Sequence, residues 1–284
     1  MFIFNVILFS FLFSSSEFIL DRNMDKDIRI NFLLNDDIEL IENDIFTHVK
    51  SSKGYTDILG MPKLPLHSTM IKLDPTKKYS VDFEVNNSRF INNIIIAPSQ
   101  KIEKGLEKNH IELIDSDFYN SDKHYPFVNV SISEPMILRD LVVANINVIP
   151  FKYLPAEKIL EVYDSITIIV KEIGQIEDSR QRVMPKSRVF EKIYKNKILN
   201  YDEIYRQSDY QNSAILYICS GDIENNSIFQ QLVEWRRQRG YIVYTASTSE
   251  MGSSSSSIKN YISNAYFNYD VPPEYVALIG DVGG

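Results

Sequence analysis

The sequence predicts two folds in series: an antiparallel all-β segment, then the start of an open, parallel α/β sheet. Three observations carry this. Between residue 21 and residue 173, short apolar runs alternate with polar residues at period two, punctuated by Pro, Asn, Asp and Ser. From residue 213 the pattern switches to strand, helix, strand, helix, strand. A length of 284 residues, at about 150 residues per domain, suits two domains.

Composition narrows the function classes. Hydrophobic residues make up 44% and charged residues 24%, a globular balance. Thirty Lys and Arg stand against thirty-eight Asp and Glu, for a formal net charge of −8. No basic excess exists to neutralise phosphates, so nucleic acid is excluded as a partner. One cysteine, Cys219, rules out an internal disulfide framework and a zinc site of the two-Cys or four-Cys kind. The four histidines, His48, His67, His110 and His124, show no i, i+4 pairing, so a His-Glu-x-x-His zinc site is absent.

The amino terminus is read apart from the fold. Phe2 to Phe13 is almost continuously apolar and is followed by Ser14, Ser15 and Ser16. The run falls short of the ~20 apolar residues that cross a bilayer, so no membrane span is expected. It has the character of a signal-peptide core with small residues at a cleavage site. Residues 1–20 are therefore expected to be a signal peptide, and the protein secreted or cell-surface. No Lys or Arg precedes the run, and the alternative is a buried first segment.

Residues 21–173 form the β-rich part. The runs DIRINFLL, DIELIENDIFTHV, KKYSVDFEV, INNIIIAP, YPFVNVSIS, LRDLVVANINVIPF and EVYDSITIIVKE read as strands. Their spacing argues for an antiparallel sandwich or barrel. Residues 174–212 are dense in charge and read as a linker or a solvated helix. Arg180, Arg182, Lys186 and Arg188 cluster there, where exposed basic residues invite cleavage. Arg180, Arg182 and Arg188 are the expected processing positions, with Arg206 as the fallback.

Residues 213–284 carry the α/β pattern. AILYIC is the first strand. In SIFQQLVEWRRQR, Ile228, Leu232 and Trp235 share one face, with Phe229 and Val233 beside them. Asn225, Asn226 or Ser227 is the cap, and Gly240 sits where a left-handed closing residue belongs. YIVYTA is the second strand. The last hydroxyl of the run Ser253 to Ser257 is expected to cap a helix whose stripe is Ile258, Tyr261, Ile262, Ala265 and Tyr266. Pro272 and Pro273 end it, and EYVALIGD is the third strand. Such strands should be parallel with right-handed crossovers. Two helices are not expected to cover both faces of three parallel strands, so the segment is read as the truncated front of a longer domain.

Little catalytic chemistry is visible. CSGDIEN lacks the glycine spacing of a phosphate-binding turn. Cys219 lies inside an apolar strand with no histidine after His124, so a buried structural thiol is the better reading than a nucleophile. The serine run is not a Gly-x-Ser-x-Gly elbow. Asp281, at the carboxyl end of the third strand, is either a site-facing carboxylate, such as a metal anchor, or a cap for a following helix.

Several motifs in order resemble one family. They are L-x-x-W-R-x-x-R-G with Leu232, Trp235, Arg236, Arg239 and Gly240, then IKNYISNAY, then PEYVALIGD. Upstream lie GMPKLPL and LRDLVVANINVIPFKYLPAEKILEVYDSITIIV. Together they resemble a gingipain-type cysteine peptidase from about residue 54 onward: its propeptide, then the start of its caspase-like catalytic domain. The resemblance implies an exported zymogen that acts on protein or peptide substrates, with the propeptide packed on its own catalytic domain. It places the His-Cys dyad on later strands, so no catalytic residue is expected in this chain. It also implies a structural calcium bound in part by Asp281, although Val282 stands where the best-known members have His. Calcium needs six or more oxygen ligands, and the others would lie downstream. Two alternatives stay open: a non-catalytic exported surface or adhesion protein of the same architecture, and a generic doubly wound ligand-binding domain behind a β module.

Overall fold

The computed structural model describes residues 17–21, 27–35, 38–43, 45–51, 53–101, 113–177, 184–201 and 210–280. They divide into two compact units. One takes the residues up to Gln181 together with Ile198–Asn200; the other takes Arg182–Lys197 and the residues from Tyr201 onward. Residues 1–16 lie outside the described residues, and with them most of the expected leader.

The first unit is built from antiparallel strands: β1 (Glu17–Asp21), β2 (Ile28–Leu33), β3 (Leu40–Asn43), β4 (Phe46–Val49), β5 (Gly54–Tyr55), β6 (Pro65–Leu73) and β7 (Lys77–Ile91). After a one-turn helix α1 (Ser116–Tyr119) come β8 (Val130–Ile132), β9 (Met136–Leu138), β10 (Leu141–Val148), β11 (Phe151–Leu154) and β12 (Ile159–Gln175). One sheet runs β1-β2-β12-β11 with β7 on the other flank of β12; a second runs β5-β6-β10-β8 with β9 also on β10. Strands β3 and β4 form a separate hairpin. β1 begins inside the stretch that the sequence assigns to the leader, and Phe18 packs on Phe32 at 5.0 Å.

Alternation explains the layering, because in a strand every second side chain faces the same way. Ile30 and Phe32 of β2, Ile71 of β6, Ala144, Ile146 and Val148 of β10, and Ile166, Ile168 and Val170 of β12 meet in one core between the two sheets. Burying each Val, Ile or Phe side chain among them contributes roughly 1.5–3 kcal/mol. A second core gathers Leu64, Ile94, Ile96, Tyr125, Phe151, Tyr153, Leu160 and Val162. Two expected strands differ. The run INNIIIAP gives only Ile91 to β7; beyond it Asn93 turns at φ 58°, and Ile94, Ile96 and Ala97 are buried with isolated bridges alone. In YPFVNVSIS the strand starts only at Val130, and Phe127 and Val128 stay exposed.

The second unit opens with helix α2 (Arg188–Lys197). Then follow β13 (Ala214–Cys219), a 3-10 turn (Ile223–Asn225), α3 (Ser227–Gln238), β14 (Ile242–Ser247), a short α4 (Thr248–Met251), α5 (Ser255–Asn268) and β15 (Tyr275–Ile279). The strands are parallel in the order β14-β13-β15. All six residues of the central β13 are buried, which accounts for its unbroken apolar run. Ile215, Tyr217 and Cys219 face Phe229 and Val233 of α3, whereas Leu216 and Ile218 face Ala265 of α5. One helix therefore lies on each face of the central strand, α3 on one and α5 on the other. The edge strand β15 is less covered, with Tyr275, Val276 and Leu278 at 39%, 41% and 63% exposure.

Helix boundaries follow their caps. The Asn226 side chain accepts from the Ile228 N–H at 2.9 Å, and Gly240 closes the turn after α3 at φ 85°. The buried stripe of α3 is Phe229 and Val233 with Leu232 beside them. Ile228 and Trp235, expected on the inner face, point outward. Ser254 rather than Ser257 caps α5: its Oγ accepts from the Ser257 N–H at 3.1 Å, so the helix begins inside the serine run.

Candidate processing segment and strand-end site

The carboxyl ends of the three parallel strands are where an open α/β sheet gathers its chemistry. Here backbone and hydroxyl groups lace them together. The Ser220 N–H donates to the Ile279 carbonyl at 2.8 Å, tying the ends of β13 and β15. Ser247, at the end of β14, is 1% exposed and donates through Oγ to the Gly221 carbonyl at 2.7 Å. The Gly221 N–H in turn donates to Thr248 Oγ1 at 3.2 Å. Gly280 lies so close that an added Cβ would come within 2.8 Å of Ser220 Cβ, so only glycine fits there. The CSGDIEN loop is thus held by its own neighbours, and its Gly221 amide is already used.

Cys219 ends β13 fully buried. Burial pushes its thiol pKa up, and the nearby Glu224 carboxylate pushes the same way. A thiolate is disfavoured there, and a nucleophilic cysteine needs the reverse setting. All four histidines precede Pro126, so the α/β unit supplies no imidazole base. Among the described residues Cys219 serves packing.

The expected site residues fall unevenly. Asp281 lies outside the described residues, and so do Arg180, Arg182 and Arg206. No group of three or more His, Cys, Asp or Glu converges among the described residues. The described strand ends alone therefore do not furnish the carboxylates of a calcium site. Arg188 is exposed at the first position of α2, with its guanidinium 5.4 Å from the centre of the Tyr210 ring. Buried Ser187 precedes it, its Oγ accepting from the Phe190 N–H at 3.2 Å, and the Gln211 N–H donates to the Lys186 carbonyl at 2.9 Å. Arg188 is thus folded into a helix rather than carried on an extended loop.

The sequence reading missed Ile198–Asn200. After α2 the chain runs beside β6: Ile198 bridges Met70 in parallel, and the Leu199 N–H donates to the Met70 carbonyl at 2.8 Å. Asn200 then grips the Lys72 backbone on both sides, accepting from its N–H at 2.7 Å and donating to its carbonyl at 2.9 Å. The available signal was the apolar pair Ile198–Leu199 inside a charged stretch.

Comparisons with known proteins place the change later than the division into units, after α2 and just before β13. Residues 44–208 match the family Propeptide_C25. Gingipain R2 of Porphyromonas gingivalis (strain ATCC 33277) is 27% identical over 261 residues, covering 85% of this chain and 35% of that protein. Gingipain R1 of Porphyromonas gingivalis is 27% identical over 262 residues, covering 85% of this chain and 26% of that protein. The chain thus spans about a third or less of the length of these relatives. Among solved structures, one chain of the "Complex of Porphyromonas gingivalis RgpB pro- and mature domains" superposes with a TM-score of 0.53 at 25% identity. That match covers 65% of this chain and 98% of the other. The family match takes in more than half of the 284 residues, from the β3–β4 hairpin to beyond Asn200, and the chain belongs to the gingipain-type Propeptide_C25 family.

Proposed function

We propose that this chain is the amino-terminal part of a secreted gingipain-like cysteine endopeptidase zymogen. The β unit, with the stretch through α2 to residue 208, is the propeptide, and the chain from β13 onward is the start of the caspase-like catalytic domain. One observation carries the reading. The propeptide match ends at residue 208, just before β13, while similarity to the gingipains R1 and R2 extends over 85% of the chain. The complex of RgpB pro- and mature domains supports a propeptide that packs on its own catalytic domain. The catalytic His and Cys belong downstream, because Cys219 is buried with a raised pKa and no histidine follows His124. The apolar run before Ser14 supports export as a secreted or cell-surface protein. No helix among the described residues is long and apolar enough to cross a membrane. Asp281 is the proposed calcium ligand of this chain, and the remaining ligands lie outside the described residues.

Maturation cuts the charged stretch between the units. Arg180, Arg182 and Arg206 are the preferred positions. Arg188 ranks below them, since its helix must unwind before the bond enters a protease cleft. Expressing the complete precursor and sequencing the amino terminus of the mature form tests this. A new terminus after one of these arginines, with activity gained on cutting and retained in Cys219→Ala, is the expected result. An uncut and fully active precursor overturns the zymogen reading, and activity lost in Cys219→Ala overturns the downstream dyad.

A further inference from the structure

β6 has β10 along one flank, but on its other flank β5 reaches only Leu66 and Pro65. Beyond β5, Ile198–Asn200 lies along Met70–Lys72 of that edge. Ile198 is 4% exposed, and Leu199 packs against the core between the two sheets. Asn200 acts as a strand would: its amide presents an acceptor and a donor to the N–H and C=O of Lys72. These three residues belong to the β unit by their contacts, yet the chain on both sides of them belongs to the α/β unit.

We propose that the Met70–Lys72 edge of β6 is a strand-docking site whose occupant is Ile198–Asn200, and that this pairing is a latch. Strand addition to an open edge draws its affinity from backbone hydrogen bonds and its selectivity from the side chains that follow. A cut upstream of α2 leaves Ile198–Asn200 on the α/β piece, so the latch still holds the β piece. A cut between residues 201 and 210 leaves the latch on the β piece, together with α2, whose own contacts are with the α/β unit, and ends the latch's hold on the α/β piece. The position of the cut decides whether the latch is among the contacts that join the two pieces. The inference draws on the proposed function only for the natural place of cleavage.

The test uses the full chain with a recognition site for an added, site-specific protease in residues 178–183, or, in a second version, in residues 202–209. After cutting, the dissociation rate of the two pieces is measured with and without Asn200→Ala. With the upstream site, Asn200→Ala should speed dissociation about tenfold, because both hydrogen bonds to the Lys72 backbone are lost. With the downstream site it should change nothing. Leu199→Pro, which removes the N–H given to Met70, should reproduce the contrast if Asn200→Ala fails to fold. Equal rates for wild type and variant after the upstream cut overturn the latch, as does an equal acceleration at both sites. The added protease makes the cuts, so neither outcome depends on whether the complete protein is a peptidase.

Discussion

At the residue scale, burial is the leading cause of the upward shift at tyrosines such as Tyr125, Tyr153, Tyr163 and Tyr244. Tyr163 is 6% exposed, and desolvation, with Glu161 adding to it, pushes its phenol up to about 12. The unfolded chain releases that proton near pH 10. The folded state thus binds the proton more tightly, and the resulting stability is complete below about pH 10 and lost as pH rises to about 12. Between pH 9 and pH 11, wild type should lose on the order of 1 kcal/mol more stability than Tyr163→Phe. Urea unfolding followed by circular dichroism measures this, and equal losses in both proteins would show that Tyr163 is not desolvated. Nothing in the sequence marks Tyr163 out from the other tyrosines, because its setting depends on strands that meet only in the fold. Cys219 was legible. Six apolar or small residues in a row announce a buried strand, and burial fixes the thiol.

At the scale of elements, α3 shows how far periodicity reaches. The sequence identifies the helix and its Gly240 stop and offers Asn225, Asn226 or Ser227 as the cap, of which the fold uses Asn226. It does not choose between two adjacent apolar stripes. The choice falls to Phe229 and Val233 because Tyr217 of β13 meets Phe229 edge-on at 5.5 Å. Trp235 is left 45% exposed, with Arg236 and Arg239 at 4.9 and 4.8 Å from its ring. Cation–π contact then gives its indole a partner that a sequence pattern does not reveal. Phe229→Ala should cost the α/β unit about 3–5 kcal/mol, whereas Ile228→Ala, at a position 75% exposed, should stay within about 0.5 kcal/mol. Hydrogen exchange of the β13 amides reads both, and equal protection in the two variants would return the inner face to Ile228. The run INNIIIAP shows the converse limit. Its apolar residues are buried as a strand's would be, but Asn93 and Pro98 keep it off a continuous ladder.

At the scale of the molecule, the change of grammar near residue 213 was plain, and the pairing of distant strands was not. Period-two runs say which residues face a core but not which strand lies alongside. The order β1-β2-β12-β11 is set by packing across the whole β unit. Separate cores in the two units lead to separate unfolding. Trp235 is the single tryptophan of the chain and belongs to the α/β unit, so its fluorescence reports that unit alone. Circular dichroism reports both. The two denaturation curves should not coincide, and superimposable curves would mean one cooperative body.

The pairing of β2 with β12 also sets a timetable. Thr167 donates to the Asn31 side-chain oxygen at 3.2 Å across a sequence separation of 136 residues, and the ladder around it runs from Ser165 opposite Leu33 to Val170 opposite Ile28. At roughly 5–20 residues per second, a ribosome needs on the order of 7 to 27 s to produce the partner after the first strand has emerged. Through that interval Phe32 has Phe18 of β1 beside it and gains β6 early, but the core around Ile30 and Phe32 stays open until β10 and β12 are synthesised. The β1–β2 hairpin must be kept from pairing with other copies during that time. The wait also leaves the leading segment unfolded and available to whatever machinery handles nascent chains.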